Sequence, residues 1–323
     1  MKIDKVLITG ISGSGGSYLA EYIHENFKNI KIHGISRWHS TTDNRNLNSV
    51  IKYVKIHDAD LNDLGSILNI VKKIKPQIIF HLASHANVRS SFDNPSAVIN
   101  NNIFCTLNLL EAVKITKVNS IIQICSTSEV YGKVSKAQVP INENCPLNPA
   151  SPYAVSKVTQ DLLGKTYFMN HNLRIITTRM FSYLNPRRDD LFATSFAKQI
   201  ALIEKGKIKY LQHGNLNSVR TLIDVRDAMS AYWLAVTKGK IGETYNIGGE
   251  KTLKVGEFLE ILKSLSNVKI ISKLNSELLR PTDVTLQVPD TRKFKKHTGW
   301  KPEYTFEESL NMLLDFLRCN KVV

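Results

Sequence analysis

The sequence predicts an α/β protein: a doubly wound parallel sheet with helices on both faces, followed by a smaller mixed α/β region. Short apolar runs alternate with amphipathic segments through the first half of the chain, which is typical of repeated strand–helix units and a parallel sheet. A glycine-rich turn joins the first apolar run to the first amphipathic segment. After residue 179 the alternation gives way to longer loops, which indicates a second lobe.

The apolar runs and amphipathic segments give each element its expected bounds. We expect strands over residues 5–9, 31–36, 53–56, 78–81, 120–125 and 174–178. We expect helices over residues 17–26, 63–74, 95–115 and 152–170. Pro95 suits a helix start because the N–H that proline lacks would have no partner in the first turn. Later in the chain, residues 245–247 resemble a strand and residues 306–317 a final helix.

These elements predict two interleaved domains. Residues 1–178 form the first domain, to which residues 222–247 return, and residues 179–221 and 248–323 form the second lobe. The chain has 323 residues, 42% of them hydrophobic and 22% charged, which is enough for one large core and a smaller one.

Composition disfavours several classes of protein. No stretch approaches the length of apolar sequence that spans a membrane, and the N-terminus runs into a strand without a cleavage site, so we expect a cytoplasmic protein. The four cysteines, Cys105, Cys125, Cys145 and Cys319, form no C-x-x-C pair and no Cys/His cluster. We therefore expect buried free thiols and no metal site.

The chain is strongly basic. An excess of 43 Lys+Arg over 28 Asp+Glu gives a formal net charge of +15, which could indicate a nucleic-acid partner. The charges are scattered, however, without interleaved aromatic residues or a nucleic-acid-binding motif. We expect a lysine-rich surface and no nucleic-acid partner, although such a surface would also attract anionic nucleotides, so charge alone does not discriminate.

The glycine-rich turn predicts a dinucleotide site. Glycines at positions 10, 13 and 16 stand between a strand and a helix, where missing side chains let the backbone approach a pyrophosphate and the helix N-terminus stabilises its charge. The motif alone is weak, but the strand before it and the helix after it supply the required context. We predict a Rossmann domain with cofactor contacts from Gly10, Gly13, Ser14 and Gly16.

The end of the second strand indicates which dinucleotide binds. Arg37 stands where an NAD enzyme usually places a carboxylate for the ribose 2′-hydroxyl, and an arginine there favours the 2′-phosphate of NADP. NAD is the less favoured alternative, in which Arg37 is a solvated or subunit-contact residue. Asp60 and Leu61 follow the third strand and are candidates for the adenine, while Leu82 and Ala83 follow the fourth and are candidates to line the cofactor.

The catalytic candidates follow the fifth strand and open the next helix. Tyr153 and Lys157 are four residues apart, so both side chains lie on one helix face, where the ammonium can lower the pKa of the phenol. Thr127 offers a hydroxyl, and Glu129 offers a second base that a simple dehydrogenase would not need. For Glu129, the alternative is that it only orients its loop. For Tyr153 and Lys157, the alternative is that they form an ordinary pair on the surface of the helix.

The chain resembles the extended short-chain dehydrogenases/reductases that modify nucleotide sugars, over essentially its whole length. Its N-terminal half, through the glycine turn and Ser126–Glu129, resembles GDP-mannose 4,6-dehydratases; residues 196–200, 214–216 and 224–227 resemble GDP-4-keto-6-deoxymannose reductases. The resemblance implies NADP in the first domain and a GDP-sugar in the second lobe. It also implies a homodimer through residues 95–115 and 152–170, or a homotetramer with an added contact from residues 38–46.

The resemblance assigns catalytic roles. Tyr153 as phenolate would take the proton of the sugar 4-hydroxyl while hydride leaves C4, Lys157 would hold the phenolate and the cofactor ribose, and Thr127 would bind the 4-oxygen. Glu129 would remove the C5 proton, water would leave from C6, and the hydride would return to C6. Ser128 replaces the aspartate typical of dTDP-glucose dehydratases, so Glu129, with a water or Ser128, would manage both acid and base roles.

The resemblance also implies a substrate site. Arg220 and Arg280 would grip the diphosphate, with help from Lys198. Ser182 replaces a usual asparagine and Thr221 a usual aspartate, so the sugar is open among mannose, an N-acetylglucosamine-like sugar and a heptose. The full implied set is Ser182, Asn185, Arg187, Lys198, Arg220 and Arg280.

The favoured function is a GDP-sugar 4,6-dehydratase that regenerates its NADP. Thr127 in place of serine favours this function over the nearest alternative, an NADPH-consuming 4-ketoreductase on the same kind of ligand. A C4 epimerase ranks lower because it needs no acid at Glu129. A non-catalytic nucleotide-binding protein remains the alternative from another class.

Overall fold

The computed structural model describes residues 2–38, 44–279 and 282–319. The strands are β1 Lys5–Thr9, β2 Lys31–Ser36, β3 Val54–Asp58, β4 Ile78–His81, β5 Ile121–Thr127, β6 Arg174–Met180, β7 Tyr183–Leu184, β8 Leu211–His213, β9 Val219–Asp224, β10 Thr244–Ile247, β11 Lys251–Lys254, β12 Ser272–Leu274 and β13 Leu286–Gln287. The helices are α1 Ser14–Asn26, α2 Leu64–Ile74, α3 Ser90–Asp93, α4 Pro95–Thr116, α5 Pro152–His171, α6 Phe192–Glu204, α7 Val225–Lys238, α8 Val255–Ser264, α9 Arg292–Thr298 and α10 Phe306–Cys319.

The expected doubly wound sheet is confirmed. Seven strands lie in the order β10-β6-β5-β4-β1-β2-β3, and every neighbouring pair is parallel. Strand β2 lies on one side of β1, and the chain later crosses to form β4 on the other side of β1. This reversal is the switch point at which open α/β sheets form their ligand crevice.

The apolar runs of the central strands are continuous because both faces of the sheet are covered by helices. Along β1, Val6 and Ile8 pack into the cluster that contains α1 and α7, whereas Leu7 packs into the opposite cluster with α2 and α4. All three side chains are completely buried. Each such burial stabilises the fold by about 1.5–3 kcal/mol.

A second, smaller sheet accompanies the first. Strand β9 lies at its centre, antiparallel to β11 and parallel to β7 and β13. After β9 the chain rejoins the large sheet through α7, which packs on α1, and through β10, which pairs with β6. A separate apolar cluster from α6, α8 and α10 forms the core of this lobe.

The expected element bounds agree with the structure within a few residues, with physical reasons for the differences. Helix α1 begins at Ser14, before the expected position 17, because a backbone hydrogen bond from Ser17 to Gly13 draws the two intervening glycines into its first turn. Strand β3 begins at Val54 because residues Ile51–Tyr53 form a 3-10 turn.

The cysteines and helices bear on two further expectations. All four cysteines are free; Cys105 is buried and two are half-buried, but Cys319 is exposed on the last helix, so the expectation of a buried thiol is wrong there.

Across the ranges that the structure describes, no helix combines the length and apolarity that a bilayer crossing requires.

Candidate active site

A cavity of about 820 Å³ lies between the large sheet and the smaller one. Residues at the carboxyl ends of β1 to β6 form one wall, and residues of β9 and β13 form part of the other. Both the position, at the switch point between β1 and β4, and the size suit a ligand of nucleotide dimensions.

The glycine turn forms a tight backbone cradle at one end of this cavity. Gly10 has a φ of +67°, and a Cβ there would lie 2.9 Å from the Cα of Ala83. A Cβ at Gly16 would lie 2.4 Å from the carbonyl oxygen of Gly10. Gly13 caps α1 without a side-chain hydrogen bond, and the first turn of the helix carries no acidic residue. This N-terminus therefore fits a pyrophosphate, whose charge its N–H groups and dipole would stabilise.

Arg37 and Asp60 lie farther along the same wall. The guanidinium Nη1 is 3.7 Å from Asp60 Oδ2, and both side chains are about half exposed, so the pair is a weak one that an anionic ligand can displace. Leu61, Leu82 and Ala83 line the same cavity. The structure thus brings together all nine cofactor-contact candidates outside the catalytic pair: Gly10, Gly13, Ser14, Gly16, Arg37, Asp60, Leu61, Leu82 and Ala83.

Local backbone chemistry places the catalytic candidates. Thr127 ends β5, and its hydroxyl accepts a hydrogen bond from the backbone N–H of Glu129 at 3.3 Å, which turns the chain into a short 3-10 turn. Ser151 caps α5 by accepting from Ala154 N at 3.1 Å. The capped helix starts beside β5, so Tyr153 lines the same cavity as Thr127 and Glu129.

Tyr153 and Lys157 are deeply buried, with exposures of 6% and 3%. The ammonium of Lys157 donates to the carbonyl oxygen of Cys125 at 2.8 Å and lies 5.9 Å from the centre of the Tyr153 ring. Burial lowers the pKa of Lys157, because the interior disfavours its charge.

The electrostatics of Tyr153 differ from the sequence-based expectation. Burial raises the pKa of Tyr153 above its usual value, and the largest opposing contribution comes from Arg188 rather than from Lys157. A hydrogen bond with Thr127 also lowers this pKa, whereas the charge of Glu129 raises it. Spacing along a helix could not show this, because Arg188 comes from the loop before α6 and the Lys157 ammonium is held at a backbone carbonyl.

Arg188 is a cavity residue that the sequence analysis did not select. Its Nη2 donates to the carbonyl oxygen of Ala86 at 2.7 Å, and its Nε donates to Asp190 at 2.9 Å. These bonds direct the guanidinium into the wall beside Tyr153. In the sequence, the adjacent arginines Arg187 and Arg188 indicate a basic group in this loop. The sequence does not show which of the two side chains faces the cavity.

Arg187 faces away from the cavity. Its guanidinium lies 3.9 Å from the centre of the Tyr18 ring and pairs with Glu21 at 2.7 Å, so it ties its loop to α1. Asn185 is completely buried and its Oδ1 accepts from the backbone N–H of Arg187. Lys198 pairs with Asp189 at 2.6 Å and does not line the cavity. Each of these three residues, expected from the resemblance to bind substrate, has a contact within the protein, and none of the three lines the cavity.

Two expected substrate residues do line the cavity. Ser182 follows β6, and Arg220 lies on β9 with 8% exposure. The Arg220 guanidinium donates to the carbonyl oxygen of Val284 at 2.7 Å, which fixes it at the wall. Arg280 lies outside the described residues. Ser182 and Thr221 are the two positions at which the sequence departs from the expected family pattern. The hydroxyl of Thr221 lies 2.7 Å from that of Thr252, and Thr221 does not line the cavity. Of these two residues, only Ser182 forms part of the cavity wall.

Comparisons with known proteins agree with this architecture. The family profile described as GDP-mannose 4,6 dehydratase matches residues 7–313. The GDP-mannose 4,6 dehydratase of Drosophila melanogaster is 29% identical over 96% of this chain and 85% of its own length. The GDP-6-deoxy-D-mannose reductase of Pseudomonas aeruginosa is 30% identical over 80% of this chain and 85% of its own.

A solved structure shows the same fold. RMD from Pseudomonas aeruginosa, complexed with NADPH, superposes with a TM-score of 0.83 at 26% identity and covers 98% of this chain and 99% of its own. The resemblance inferred from the motifs, to nucleotide-sugar enzymes of the extended short-chain dehydrogenase/reductase type, is thereby confirmed. The chain belongs to the GDP-mannose 4,6-dehydratase family.

Proposed function

We propose that the protein is an NADP-dependent GDP-sugar 4,6-dehydratase, which converts its substrate to the 4-keto-6-deoxy sugar. One observation carries the proposal: Tyr153, Lys157, Thr127 and Glu129 all line one cavity beside the glycine cradle. The first three are the groups that an oxidation at C4 requires, and the carboxylate is the additional base that elimination of water requires. The family to which the chain belongs supports the same reaction.

The cofactor would lie along the wall made by the glycine turn, with its pyrophosphate at the N-terminus of α1. When bound, NADP would supply the hydride transfer of the reaction, from C4 of the sugar to C6. Arg37 favours NADP over NAD, because a guanidinium suits a 2′-phosphate. The NADPH bound to the Pseudomonas aeruginosa RMD supports this choice.

Tyr153 would remove the proton from the 4-hydroxyl of the sugar. Because burial raises the pKa of Tyr153, the phenolate needs stabilisation from Lys157 and Arg188, and from the Thr127 hydroxyl. Thr127 would also hydrogen-bond the 4-oxygen as the carbonyl forms. A positioned base of this kind contributes about 10²- to 10⁴-fold to the rate.

Glu129 would carry out the elimination. A carbonyl at C4 acidifies the proton at C5; the Glu129 carboxylate takes that proton as the double bond forms between C5 and C6. The C6–O bond breaks, and the departing hydroxyl takes a proton from the carboxylic acid, directly or through Ser128 or a water, and leaves as water. The Glu129 carboxylate is thereby regenerated. When hydride is returned to C6, C5 would take up one proton, which balances the proton that Tyr153 took from the 4-hydroxyl and releases, so no net acid or base is consumed.

The second lobe would hold the nucleotide sugar. We assign this role to residues 179–221 and 248–323, because Arg220 presents a buried guanidinium to the cavity and such groups bind diphosphates well. The family name supports a GDP-sugar. The family resemblance implies an asparagine at the position of Ser182, so mannose, an N-acetylglucosamine-like sugar and a heptose are the candidate sugars.

The proposal includes a homodimer. Helices α4 and α5 pack together, and their outer faces carry large apolar side chains. Exposure of these side chains to water is unfavourable, so such a face is typical of a protein interface. The exposed apolar residues of the two helices are Phe104, Ile115, Val155, Leu162 and Met169. A tetramer contact from residues 38–46 is a further possibility implied by the family resemblance, but residues 39–43 lie outside the described ranges.

A specific observation also supports a second function, a 4-ketoreductase that consumes NADPH. The reductase of Pseudomonas aeruginosa is 30% identical to this chain, as similar as the dehydratases are. A reductase would need Tyr153 as a proton donor but would have no use for Glu129 as a base.

Mass spectrometry would separate the two functions. We expect the purified protein, incubated without reductant with GDP-mannose, GDP-N-acetylglucosamine or GDP-heptose, to remove one water from at least one of them. Tyr153→Phe should remove none. If no sugar loses water while NADPH is consumed stoichiometrically with a GDP-4-keto-6-deoxy sugar, the protein is the reductase.

A further inference from the structure

Glu129 is contacted by a residue from the other lobe. The side-chain amide of Gln287 donates from Nε2 to Glu129 Oε1 at 3.2 Å. Gln287 is only 3% exposed, lies on β13 and lines the cavity. The two residues are 158 positions apart in sequence, so their contact depends on how the second lobe meets the large sheet.

The backbone around Gln287 is held on two sides. In the small sheet, Gln287 is in register with Arg220 on β9. Beyond the strand, Ile141 N donates to the carbonyl oxygen of Val288 at 2.8 Å, and Asp290 N donates to the carbonyl oxygen of Ile141 at 2.7 Å. A side chain on so constrained a backbone has little freedom, which suits a group that orients another.

The chemistry of the pair fixes the direction of its hydrogen bond. A carboxylate oxygen accepts hydrogen bonds and the amide nitrogen donates them, so Gln287 presents its N–H to Glu129. The bond ties one carboxylate oxygen to a side chain on a constrained backbone. An amide does this without adding a charge to the cavity.

We propose that Gln287 is a positioning residue whose amide holds the Glu129 carboxylate in one orientation while it removes the C5 proton. This inference rests on the proposed dehydratase function. It assigns to β13 a part in catalysis that the sequence did not indicate.

The test compares three variants of the full-length protein. Gln287→Met keeps the length of the side chain and removes the donor, Gln287→Glu places a carboxylate opposite Glu129, and Gln199→Met makes the same change in the same lobe outside the cavity. The rates of C4 oxidation and of C5-proton exchange with solvent deuterium would be measured for each, with the GDP-sugar that loses water. Thermal unfolding would verify that each variant is folded.

We expect Gln287→Met to lower the rate of C5-proton exchange by about 10- to 100-fold, because the carboxylate is no longer held in the geometry that removes the proton. Gln287→Glu should lower this rate further, because two carboxylates repel each other. KM for the GDP-sugar and the rate of C4 oxidation should change little in both variants, and Gln199→Met should keep the parent rates. A loss confined to the C5 step is a result that a merely structural role of Gln287 would not produce.

Two results would overturn the inference in distinguishable ways. If the parent protein eliminates water but both Gln287 variants exchange the C5 proton at the parent rate, Gln287 only supports packing and the proposed function stands. If the parent protein neither exchanges the C5 proton nor eliminates water from any GDP-sugar, the dehydratase function itself is wrong and this inference fails with it.

Discussion

The protonation behaviour of Tyr153 is the central question at the residue scale. Burial raises its pKa, which disfavours the phenolate that the proposed reaction needs. Arg188 provides the largest opposing contribution, from a loop that approaches over the active-site end of α5. The first proton transfer therefore depends on a residue that the helix motif does not contain.

Replacing Arg188 tests this dependence. Arg188→Met should raise the pKa of Tyr153 further, so less phenolate exists at neutral pH and the pH profile for C4 oxidation should move upward by about one unit. Formation of reduced cofactor in a single turnover would report the profile. Arg187→Met is the matched control, since that guanidinium faces α1; an equal shift in both variants would contradict the assignment.

Separate roles for Glu129 and Tyr153 lead to a second prediction. Glu129→Gln should still bind cofactor and sugar and oxidise C4, but its rate of water elimination should fall by about 10²- to 10⁴-fold because the base for C5 is lost. Tyr153→Phe should lose oxidation and elimination together. Quenched-flow analysis of the sugar products would show this; elimination at the parent rate in Glu129→Gln would refute the role of that carboxylate.

At the scale of single elements, the glycine turn and α1 form the most constrained part of the site. The Cβ positions at Gly10 and Gly16 fall within 3 Å of backbone atoms, which cannot move aside as a side chain can. The turn therefore keeps its shape only with glycine at these positions.

Substitution within this turn should affect the cofactor. Gly16→Ala should weaken NADP binding by about 10- to 100-fold, because overpacking costs about 1–3 kcal/mol and displaces the cradle. Gly65→Ala, in the first turn of α2 and outside the cavity, meets only the carboxylate of its own cap at 3.4 Å and should bind normally. Isothermal titration calorimetry would compare them; unchanged affinity in Gly16→Ala would argue against a pyrophosphate at this turn.

Sequence reasoning was most successful for the central strands and for α4 and α5. The strands could be predicted because burial on both faces of the sheet imposes continuous apolar runs. Each of the two helices begins at a proline, which suits the first turn of a helix. The start of α1 could not be predicted, since glycines are poor helix formers and only the backbone bond from Ser17 to Gly13 draws them in.

The candidate site was predictable only where its residues are close in sequence. Thr127, Glu129, Tyr153 and Lys157 follow from local motifs, and their catalytic roles remain predictions. The inward orientation of Arg188 rather than Arg187, and the contact of Gln287 with Glu129, depend on how distant segments pack. A local sequence pattern cannot predict these contacts. Two neighbouring residues of the same type on a loop can point in different directions, and the sequence does not show which one faces the cavity.

At the scale of the whole molecule, the cavity is complete only when both lobes contribute to it. The carboxyl end of the large sheet supplies the glycine turn and Thr127, α5 supplies the candidate pair Tyr153 and Lys157, and β9 and β13 supply Arg220 and Gln287. Because α7 and β10 interleave with the first domain, the lobes are tied together by more than one crossing of the chain. These crossings hold the two walls of the cavity in a fixed position relative to each other.

The exposed apolar faces of α4 and α5 lead to a prediction about assembly. Leu162→Glu should convert the expected dimer to a monomer, because a charge in the centre of an apolar interface would be desolvated without a partner. Ile271→Glu, an exposed apolar position in the smaller lobe, is the control and should leave the dimer intact. Size-exclusion chromatography with light scattering would decide; a dimeric Leu162→Glu variant would place the interface elsewhere.

The most direct test of the dehydratase function follows the hydrogen at C4. The GDP-sugar that loses water would be supplied with deuterium at C4, without added reductant, and the product would be examined by mass spectrometry and NMR. We predict a 4-keto-6-deoxy product that has lost one water and carries the deuterium at C6. A product without the deuterium, or no product unless NADPH is added, would contradict the function proposed for this protein.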